Sequence, residues 1–239
     1  MRADGRKRDE IRPMEIIPNY LTNPEGSVLV KQGNNKILCC VSIRDGVPPF
    51  LRGNKRGWLS AEYSMLPCAT VSRNSRESIK GKQQGRSVEI QRMIGRALRS
   101  ALDLEVIGEK TLIVDCDVLE ADGSTRVASI TGAYVALSIA LKKLEDNGTI
   151  PSNPIIHQIA ALSVGIVNGE SLVDLTFEED SNASTDANLV MNEEMKVVEI
   201  QGTAEGKPYS VEELNSMISS SKKGFEELFE IQKKLNIRS

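Results

Sequence analysis

The chain has 239 residues, of which 40% are hydrophobic and 26% are charged, and its formal net charge is -3. This composition is typical of a globular protein. No apolar run approaches the ~20 residues of a membrane helix and none follows the N-terminal charges, so we expect a cytoplasmic protein without a membrane partner. The four cysteines form no C-x-x-C pair, and His157 is the only histidine. These counts exclude sites that need two imidazoles and disfavour a zinc knuckle or a disulfide framework.

Charge is divided unevenly along the chain. Residues 1–100 hold 19 Lys+Arg against 9 Asp+Glu, a net of +10, whereas the remaining residues hold 11 against 24, a net of -13. The densest basic stretch, residues 52–99, predicts an anionic partner, either nucleic acid or phosphate, although a solvated face or a subunit interface would look the same. Trp58 and Tyr63 are the only aromatic residues in that stretch, so an RNA partner would be held mainly by its backbone.

The first predicted elements are strands. Residues 26–42 give two β-rich runs around Gly33 and predict a hairpin. Residues 58–66 form a second apolar stretch that ends at a proline. The intervening residues 45–57 are rich in proline, glycine and basic residues, and they predict an exposed, positively charged loop.

Helices and one strand dominate the middle of the chain. Residues 87–104 place apolar side chains at helical spacing opposite a basic stripe that includes Arg92. Residues 110–119 alternate as a strand with one buried face. After a short turn, residues 126–144 predict a long apolar helix.

The last part of the chain again predicts strand pairs followed by a helix. Residues 159–167 and 171–177 flank Asn168-Gly169, which is typical of a type I′ hairpin. A second pair is predicted at residues 188–191 and 195–201. The final helix should begin at Ser210, with Glu213 completing a capping box. Hairpin strands followed by a helix in each half indicate an internal duplication, and the fold class is α+β with helices packed on mixed sheets.

Two short loops could each bind an anion. GKQQGRS at residues 81–87 delivers Arg86 to the start of the basic helix, where free N–H groups and a guanidinium make an anion site. DGSTR at residues 122–126 repeats this arrangement, with Ser124 and Thr125 as hydroxyl donors and Arg126 as a bidentate partner. Taken alone, the first loop is a pattern common before helices, and the second is better explained as a plain helix cap with a surface arginine. Two such loops in one chain favour a phosphate pocket.

Carboxylates cluster at residues 178–188. Asp180 and Asp186 are separated by a short polar loop that could direct both into one cleft, to hold Mg²⁺ or to supply a general acid. Taken alone, the segment is better explained as an acidic turn with Asx caps. Asp115 and Asp117, on one face of a predicted strand, are a competing metal site.

Taken together, these motifs resemble ribonuclease PH, the phosphate-dependent 3′-to-5′ exoribonuclease family. The resemblance spans nearly the whole chain. The matching stretches are GRKRDEIRP at 5–13, PEGSVLVKQGNNKILC at 24–39, RGWLSAEYSMLP at 56–67, SRNSRE at 72–77, GKQQGRSVEIQRMIGRALR at 81–99, DVLEADGSTRVASITGA at 117–133 and EDSNASTDANLVM at 179–191.

The resemblance implies one domain of the ribosomal protein S5 domain 2-like type, built from two related halves at about residues 1–108 and 109–239. It also implies a homohexamer assembled as a trimer of dimers. The implied activity is phosphorolytic trimming of tRNA 3′ ends with release of nucleoside diphosphates, and nucleotide addition in reverse. Inorganic phosphate is the implied co-substrate, and Mg²⁺ the implied cation.

The resemblance also assigns residues to roles. It implies that phosphate binds at Arg86, Ser124, Thr125 and Arg126. Asp180 and Asp186 would be the acidic pair at the scissile bond, as general acid, Mg²⁺ ligand or both. The RNA contacts it implies are Arg73 and Arg76, which would hold the tRNA acceptor stem, together with Arg92.

Two departures from the family pattern affect these assignments. Cys68 stands where the family often has another arginine, and Ser124 replaces a glycine of the phosphate loop. Ser124 should be tolerated if its backbone avoids the left-handed region. Two other functions remain open: a non-catalytic RNA-binding ring subunit of an exosome-like assembly, and a Mg²⁺-dependent hydrolase that releases nucleoside monophosphates.

Overall fold

The computed structural model describes residues 2–235, which form nine strands, six α-helices and a 3-10 helix at Pro49–Leu51. The strands are β1 (Met14–Pro18), β2 (Gly26–Gln32), β3 (Asn35–Asp45), β4 (Trp58–Met65), β5 (Lys110–Glu120), β6 (Ile159–Val167), β7 (Glu170–Val173), β8 (Thr185–Asn192) and β9 (Val197–Ala204). The helices are α1 (Glu77–Lys80), α2 (Gly85–Ser100), α3 (Leu104–Ile107), α4 (Thr125–Asp146), α5 (Phe177–Ser181) and α6 (Val211–Lys234).

The first five strands form one sheet in the order β1-β2-β3-β5-β4. The β4–β5 pair is parallel and the other pairs are antiparallel. Parallel neighbours need a crossover connection, which α2 supplies. Alternate residues along β3 and β5 are buried, such as Val41 opposite Val114, and this apolar face is covered by α2 and α4.

Helix α4 lies between this sheet and a second one. It packs against β2 and β3 on one side and β6 on the other, so it is apolar around its whole circumference. Gly132 permits the close approach, because a Cβ there would lie 2.2 Å from Val30. By length and composition alone α4 could cross a membrane, which contradicts the expectation that no apolar run reaches that length. Burial explains its composition, since 83% of its most apolar window is buried.

The second sheet is antiparallel, in the order β7-β6-β8-β9. Successive residues of β6 face opposite cores: Ile159 and Ala161 join the cluster around α4, whereas Ala160 and Leu162 join the cluster under α6. Because both faces of this strand are covered, β6 is buried from Ile159 to Ile166, and Ser163 is its one polar residue. These helices packed on mixed sheets confirm the predicted α+β class.

The structure confirms the predicted elements and shifts several boundaries. The helix predicted over residues 87–104 ends at Ser100, because Asp103 caps the separate helix α3. The strand predicted to reach Phe177 ends at Val173, since Asp174 adopts a φ of 56°. The final helix does begin after Ser210, with the predicted capping box.

The change from one sheet to the other does not coincide with the start of the second half that the resemblance implies at about residue 109. Strand β5 hydrogen-bonds between β3 and β4 at the interior of the first sheet, and α4 packs on that same sheet. Both elements lie in the second half that the resemblance implies. The change from one sheet to the other therefore comes between α4 and β6.

Candidate active site

The two predicted aspartates meet two predicted arginines in one cleft. Asp180 lies on α5, Asp186 near the start of β8, and Arg86 and Arg126 in the first turns of α2 and α4. The two carboxyl groups share a hydrogen bond, and both arginines act electrostatically on both of them. These four residues are called the arginine–aspartate cleft below.

Loss of solvent and mutual proximity raise the pKa values of both aspartates. For Asp186, burial is the largest cause and the neighbouring Asp180 carboxylate the next, and together they raise its pKa from 3.8 to about 6. Loss of solvent also raises the pKa of Asp180, and Arg86 and Arg126 oppose that rise. The pair therefore retains a proton more readily than ordinary surface carboxylates do.

Arg126 is fixed by two side chains from other elements. Its Nη1 lies 3.2 Å and 3.3 Å from the two carboxylate oxygens of Glu89 on α2 and 3.3 Å from the amide oxygen of Gln201 on β9. Gln201 in turn donates to Glu89 at 2.9 Å. This arrangement limits the guanidinium to one direction, so Arg126 is preorganised. Sequence reasoning missed both residues, because Glu89 lies in the matching stretch 81–99 without an assigned role and Gln201 lies outside all of the matching stretches.

Arg86 differs from Arg126 in being exposed. Within residues 2–235, the structure gives it neither a hydrogen bond nor an ion pair. It lies in the first turn of α2, where backbone N–H groups lack partners within the helix. Such a guanidinium is available to an anion from solvent.

Ser124 contradicts the expectation for its backbone. It adopts φ 61° and ψ 17°, which lie in the left-handed region that it was expected to avoid. Its hydroxyl donates to the carbonyl of Leu175 at 2.6 Å and lies 2.5 Å from Ser163 Oγ. These two contacts compensate the strained backbone conformation. They also direct the hydroxyl toward the protein interior. In this structure the predicted hydroxyl donor is engaged within the protein, which leaves the backbone of Ser124 as its free group toward phosphate.

The hydroxyl of Thr125 is also engaged. It lies 2.8 Å from the hydroxyl of Tyr63 on β4, and both residues are buried. Arg86 and Arg126 both act electrostatically on the Tyr63 hydroxyl, although burial still raises its pKa. Through Tyr63, Thr125 thus ties the start of α4, which carries Arg126, to the first sheet.

Replacing Ser124 with glycine and with alanine should give two different stabilities. Both variants lose the hydroxyl contacts, but alanine still pays the cost of the left-handed region, a net difference of about 1 kcal/mol. We expect Ser124→Ala to melt at a lower temperature than Ser124→Gly in thermal unfolding. Equal melting temperatures would show that the backbone of this residue is not strained.

The predicted RNA contacts lie outside the cleft. Arg73 and Arg76 belong to the exposed segment around α1, and no hydrogen bond or ion pair in the described chain joins them to the cleft. A hydrogen bond of 2.5 Å between Ser87 and Glu77 ties this segment to α2. Arg92 is exposed on α2, and Cys68 is an exposed free thiol.

The basic stripe on α2 is only partly free. Arg96 forms an ion pair with Glu199 on β9. Arg99 lies over the ring of Trp58 at 4.4 Å and donates to the carbonyl of Leu59 at 2.8 Å. The predicted stripe consists of Arg92, Arg96 and Arg99, and of these three only Arg92 has no such partner among the described residues.

The competing carboxylates lie on the outer face of the first sheet. Asp115 and Asp117 are half-buried there beside Glu62, and loss of solvent raises their pKa values. Arg44 is the only positive group that acts on Asp115, and none is found for Asp117 within the described chain. This face lacks the two arginines that accompany Asp180 and Asp186.

The acidic pair in the cleft fits a divalent cation of the magnesium type. Two carboxylates close enough to share a proton form an acceptor pair, and Mg²⁺ is usually bound by one or two carboxylates together with phosphate oxygens and water. In the described range, no cluster of three or more His, Cys, Asp or Glu could form a cage. The donor set thus suits a cation completed by substrate rather than a structural metal.

Asp186→Asn should stabilise the cation-free protein at neutral pH. The folded state raises the pKa of Asp186 above its unfolded value, so ionisation of this group costs stability, and the cost grows as pH rises from 3.8 to about 6. Asparagine never ionises, and we expect it to add roughly 1–3 kcal/mol to the free energy of unfolding at neutral pH. Denaturant unfolding in EDTA measures this gain. A gain that persists undiminished at about pH 4 would contradict the explanation.

Two glycine-containing loops and an acidic loop indicated the cleft in the sequence, but the contacts that support it gave no signal. Arg12, buried at 4% exposure, pairs with the fully buried Asp174. Arg2 pairs with Glu179 beside Asp180. In the sequence these residues look like ordinary solvated charges, and they lie more than 160 positions apart.

Comparison with known proteins identifies the fold. Models of domain 1 and domain 2 of the 3′ exoribonuclease family (RNase PH) match residues 10–143 and 157–224. Rice (Oryza sativa) Rrp46 superposes with a TM-score of 0.79 at 21% identity, over 97% of this chain and 98% of that one. An Archaeoglobus fulgidus exosome with RNA bound to the active site gives 0.78 at 26% identity, over 96% and 91%. An archaeal exosome core gives 0.75 at 26% identity, over 97% and 91%.

Proposed function

Because the chain belongs to the 3′ exoribonuclease family of ribonuclease PH, we propose that it is a phosphate-dependent 3′-to-5′ exoribonuclease. Its substrates would be RNA 3′ ends, chiefly those of tRNA, and its products nucleoside diphosphates. The convergence of Arg86 and Arg126 with Asp180 and Asp186 in one cleft carries this proposal.

Electrostatic repulsion between the reacting groups explains why both the arginine pair and the aspartate pair are needed. A phosphate anion must approach a phosphodiester that is itself an anion, and the two repel each other. Two guanidinium groups and the free N–H groups at the start of α4 would offset that repulsion. The acidic pair would act at the other reacting centre, where charge develops on the departing oxygen.

The proposed step is an in-line displacement. An oxygen of inorganic phosphate, held by Arg86, Arg126 and the loop before α4, forms a bond to the terminal phosphorus. The bond from that phosphorus to the 3′ oxygen of the preceding nucleotide breaks, and this oxygen receives a proton. A nucleoside diphosphate leaves, and the shortened RNA keeps a free 3′ hydroxyl.

Asp180 and Asp186 are the residues that would hold Mg²⁺, which supplies charge neutralisation for the phosphate oxygens when bound. The same pair can supply a proton, because their raised pKa values keep one carboxyl protonated closer to neutral pH than an isolated aspartate. The division of these two roles between Asp180 and Asp186 is part of what mutagenesis has to assign.

RNA binding is supported by charge and by one relative. The A. fulgidus exosome, 26% identical, holds RNA at its active site. In this chain, Arg73, Arg76 and Arg92 are exposed basic residues. Contacts from arginine to the RNA backbone release counterions, so affinity should fall steeply as salt rises.

Changing Arg73 and Arg76 together to glutamine should impair tRNA-like substrates more than short oligonucleotides. In this proposal a short single strand would occupy only the cleft, whereas an acceptor stem would also extend across this exposed segment. We expect kcat/KM to fall about tenfold or more on the tRNA-like substrate, because several phosphate contacts are lost. The matched control changes Arg52 and Lys55 in the exposed loop before β4. Equal losses on both substrates would refute the stem-holding role.

A homohexamer, arranged as a trimer of dimers, belongs to the same proposal. It rests on family membership together with the exosome relatives. Light scattering of the purified chain measures the mass directly. A monomer that still degrades RNA would remove the hexamer from the proposal without touching the chemistry.

The fold alone fits a second function equally well, that of a non-catalytic RNA-binding subunit of an exosome-like assembly. Incubation of the chain with RNA and Mg²⁺, with and without inorganic phosphate, separates the candidates. We expect nucleoside diphosphate to be released only with phosphate. Nucleoside monophosphate released without phosphate would identify a hydrolase, and bound but intact RNA would identify the non-catalytic subunit.

A further inference from the structure

The N-terminal segment, residues 2–12, carries two arginines that are buried although arginine is seldom buried without partners. Arg2 is 8% exposed and Arg12 is 4% exposed. Arg2 contacts the helix that carries Asp180, and Arg12 contacts the loop that precedes Arg126. Neither contacts the four cleft residues directly.

Arg2 fixes the helix that carries Asp180. Its guanidinium donates to the Glu179 carboxylate through Nε and Nη2, each at 2.7 Å from an oxygen, in a bidentate pair. It also donates to the carbonyls of Val173 and Asp174, both at 2.8 Å. Helix α5 has only five residues, too few to be stable on its own. Its orientation therefore depends on this pair and on the capping box that Glu179 closes with Thr176.

Arg12 fixes the loop that precedes α4. On one edge, its guanidinium pairs with Asp174, at 2.6 Å and 3.0 Å from the two carboxylate oxygens. Its Nη1 donates to the carbonyl of Asp122, and its Nη2, which also pairs with Asp174, lies 3.5 Å from the carbonyl oxygen of Gly123. Asn35 holds the same loop, donating to Gly123 O at 2.7 Å and accepting from Asp122 N at 2.6 Å.

Asp174 is contacted by both Arg2 and Arg12. It is fully buried and its φ of 56° is rare for a residue with a Cβ. Its carboxylate faces Arg12 and its carbonyl accepts from Arg2. Arg6 contributes from the same segment, with Nη1 3.3 Å from the Asp174 carboxylate. A strained, buried aspartate persists only where its surroundings hold it in place.

We propose that Arg2 and Arg12 are positioning residues, Arg2 setting Asp180 through Glu179 and Arg12 setting the phosphate loop through the Asp122 and Gly123 carbonyls. The N-terminal segment thereby aligns the cation side and the phosphate side of the cleft. This inference rests on the proposed function, because it assigns those two sides their ligands.

Direct binding tests the proposal without measuring activity. The probes are Mn²⁺, titrated by electron paramagnetic resonance, and inorganic phosphate, titrated by calorimetry. Arg2→Gln should weaken Mn²⁺ binding about tenfold, the size of effect seen when support for a metal ligand is removed, and leave phosphate binding unchanged. Arg12→Lys keeps a charge for Asp174 but cannot also bridge to the loop, so it should weaken phosphate binding and leave Mn²⁺ binding unchanged.

Controls separate positioning from a general loss of structure. Glu179→Gln should reproduce Arg2→Gln, and Asn35→Asp, which keeps the acceptor but loses the donor to Gly123, should reproduce Arg12→Lys if that variant does not fold. Arg8→Gln is the matched control, since Arg8 lies in the same segment, is exposed, and meets Glu170 only at 3.4 Å. It should change neither affinity.

Three results would overturn the proposal. If Arg2→Gln and Arg12→Lys weaken both probes together, in step with a lower melting temperature, the network is only structural. If the wild type binds both probes and the variants bind them equally well, positioning is refuted while the proposed function stands. If the wild type binds neither probe, the proposed function fails, and the inference fails with it.

Discussion

Asp186→Asn is expected to lower kcat for phosphorolysis by about 10²- to 10⁴-fold, the range typical of a group that transfers a proton or holds charge in the transition state. The substitution preserves the size of the side chain and the pairing of β8, but it removes the charge and the proton. It also disrupts the acceptor pair with Asp180. Steady-state kinetics on a 3′-labelled RNA, with saturating phosphate, measures this loss.

The outer face of the first sheet provides the control for this experiment. Asp117 is also half-buried, and its pKa is also raised by loss of solvent, so Asp117→Asn makes the same chemical change away from the cleft. We expect it to keep nearly full activity. Loss of activity in Asp117→Asn with little loss in Asp186→Asn would place the cation on Asp115 and Asp117 instead.

Arg126→Gln is expected to reduce phosphorolysis by about 10³-fold or more, since an arginine that stabilises a transferring phosphoryl group is worth that much. Glu89 and Gln201 hold Arg126 in place before phosphate binds. Little free energy is therefore spent on ordering the Arg126 side chain when phosphate binds. The KM for phosphate should rise as kcat falls. Varying phosphate at fixed RNA concentration separates these two effects.

Arg96→Gln is the matched control for Arg126. Arg96 also pairs with a glutamate, Glu199, but it is itself exposed and does not act on Asp180 or Asp186. We expect its KM for phosphate to stay within about twofold of wild type, because exposed ion pairs contribute little. An unchanged KM for phosphate in Arg126→Gln would contradict the assignment of this residue to phosphate.

Much of the fold could be predicted because its elements are locally encoded. The alternation along β5 and the Asn168-Gly169 turn indicate strand and hairpin in the sequence itself. The capping box at Ser210 likewise indicates the start of the final helix. The position of β5 between β3 and β4 could not be predicted in this way, because a strand pattern states which face is buried and not which strands are its neighbours.

The cleft residues were predictable and their supports were not. Arg86, Arg126, Asp180 and Asp186 lie in motifs whose order along the chain resembles ribonuclease PH, and the structure brings all of them together. The pairing of Arg2 with Glu179 joins residues 177 positions apart. Either charge alone would suit a solvated surface, so only the folded chain reveals the pair.

Ser124 illustrates a limit of a different kind. A non-glycine residue was expected to avoid the left-handed region, since a Cβ is strained there. The structure holds Ser124 in that region through Ser163 and the Leu175 carbonyl, which come from β6 and from the segment after β7. Long-range hydrogen bonds thus override a local preference, and no local pattern predicts them.

The central claim is that inorganic phosphate, not water, attacks the RNA. The most direct measurement supplies phosphate labelled with ¹⁸O at every oxygen, together with Mg²⁺ and RNA, and determines the mass of the released nucleotide. We expect a nucleoside diphosphate that carries the complete phosphate label. Unlabelled nucleoside monophosphate, formed equally well when phosphate is omitted, would contradict the account and leave the two arginines without their role.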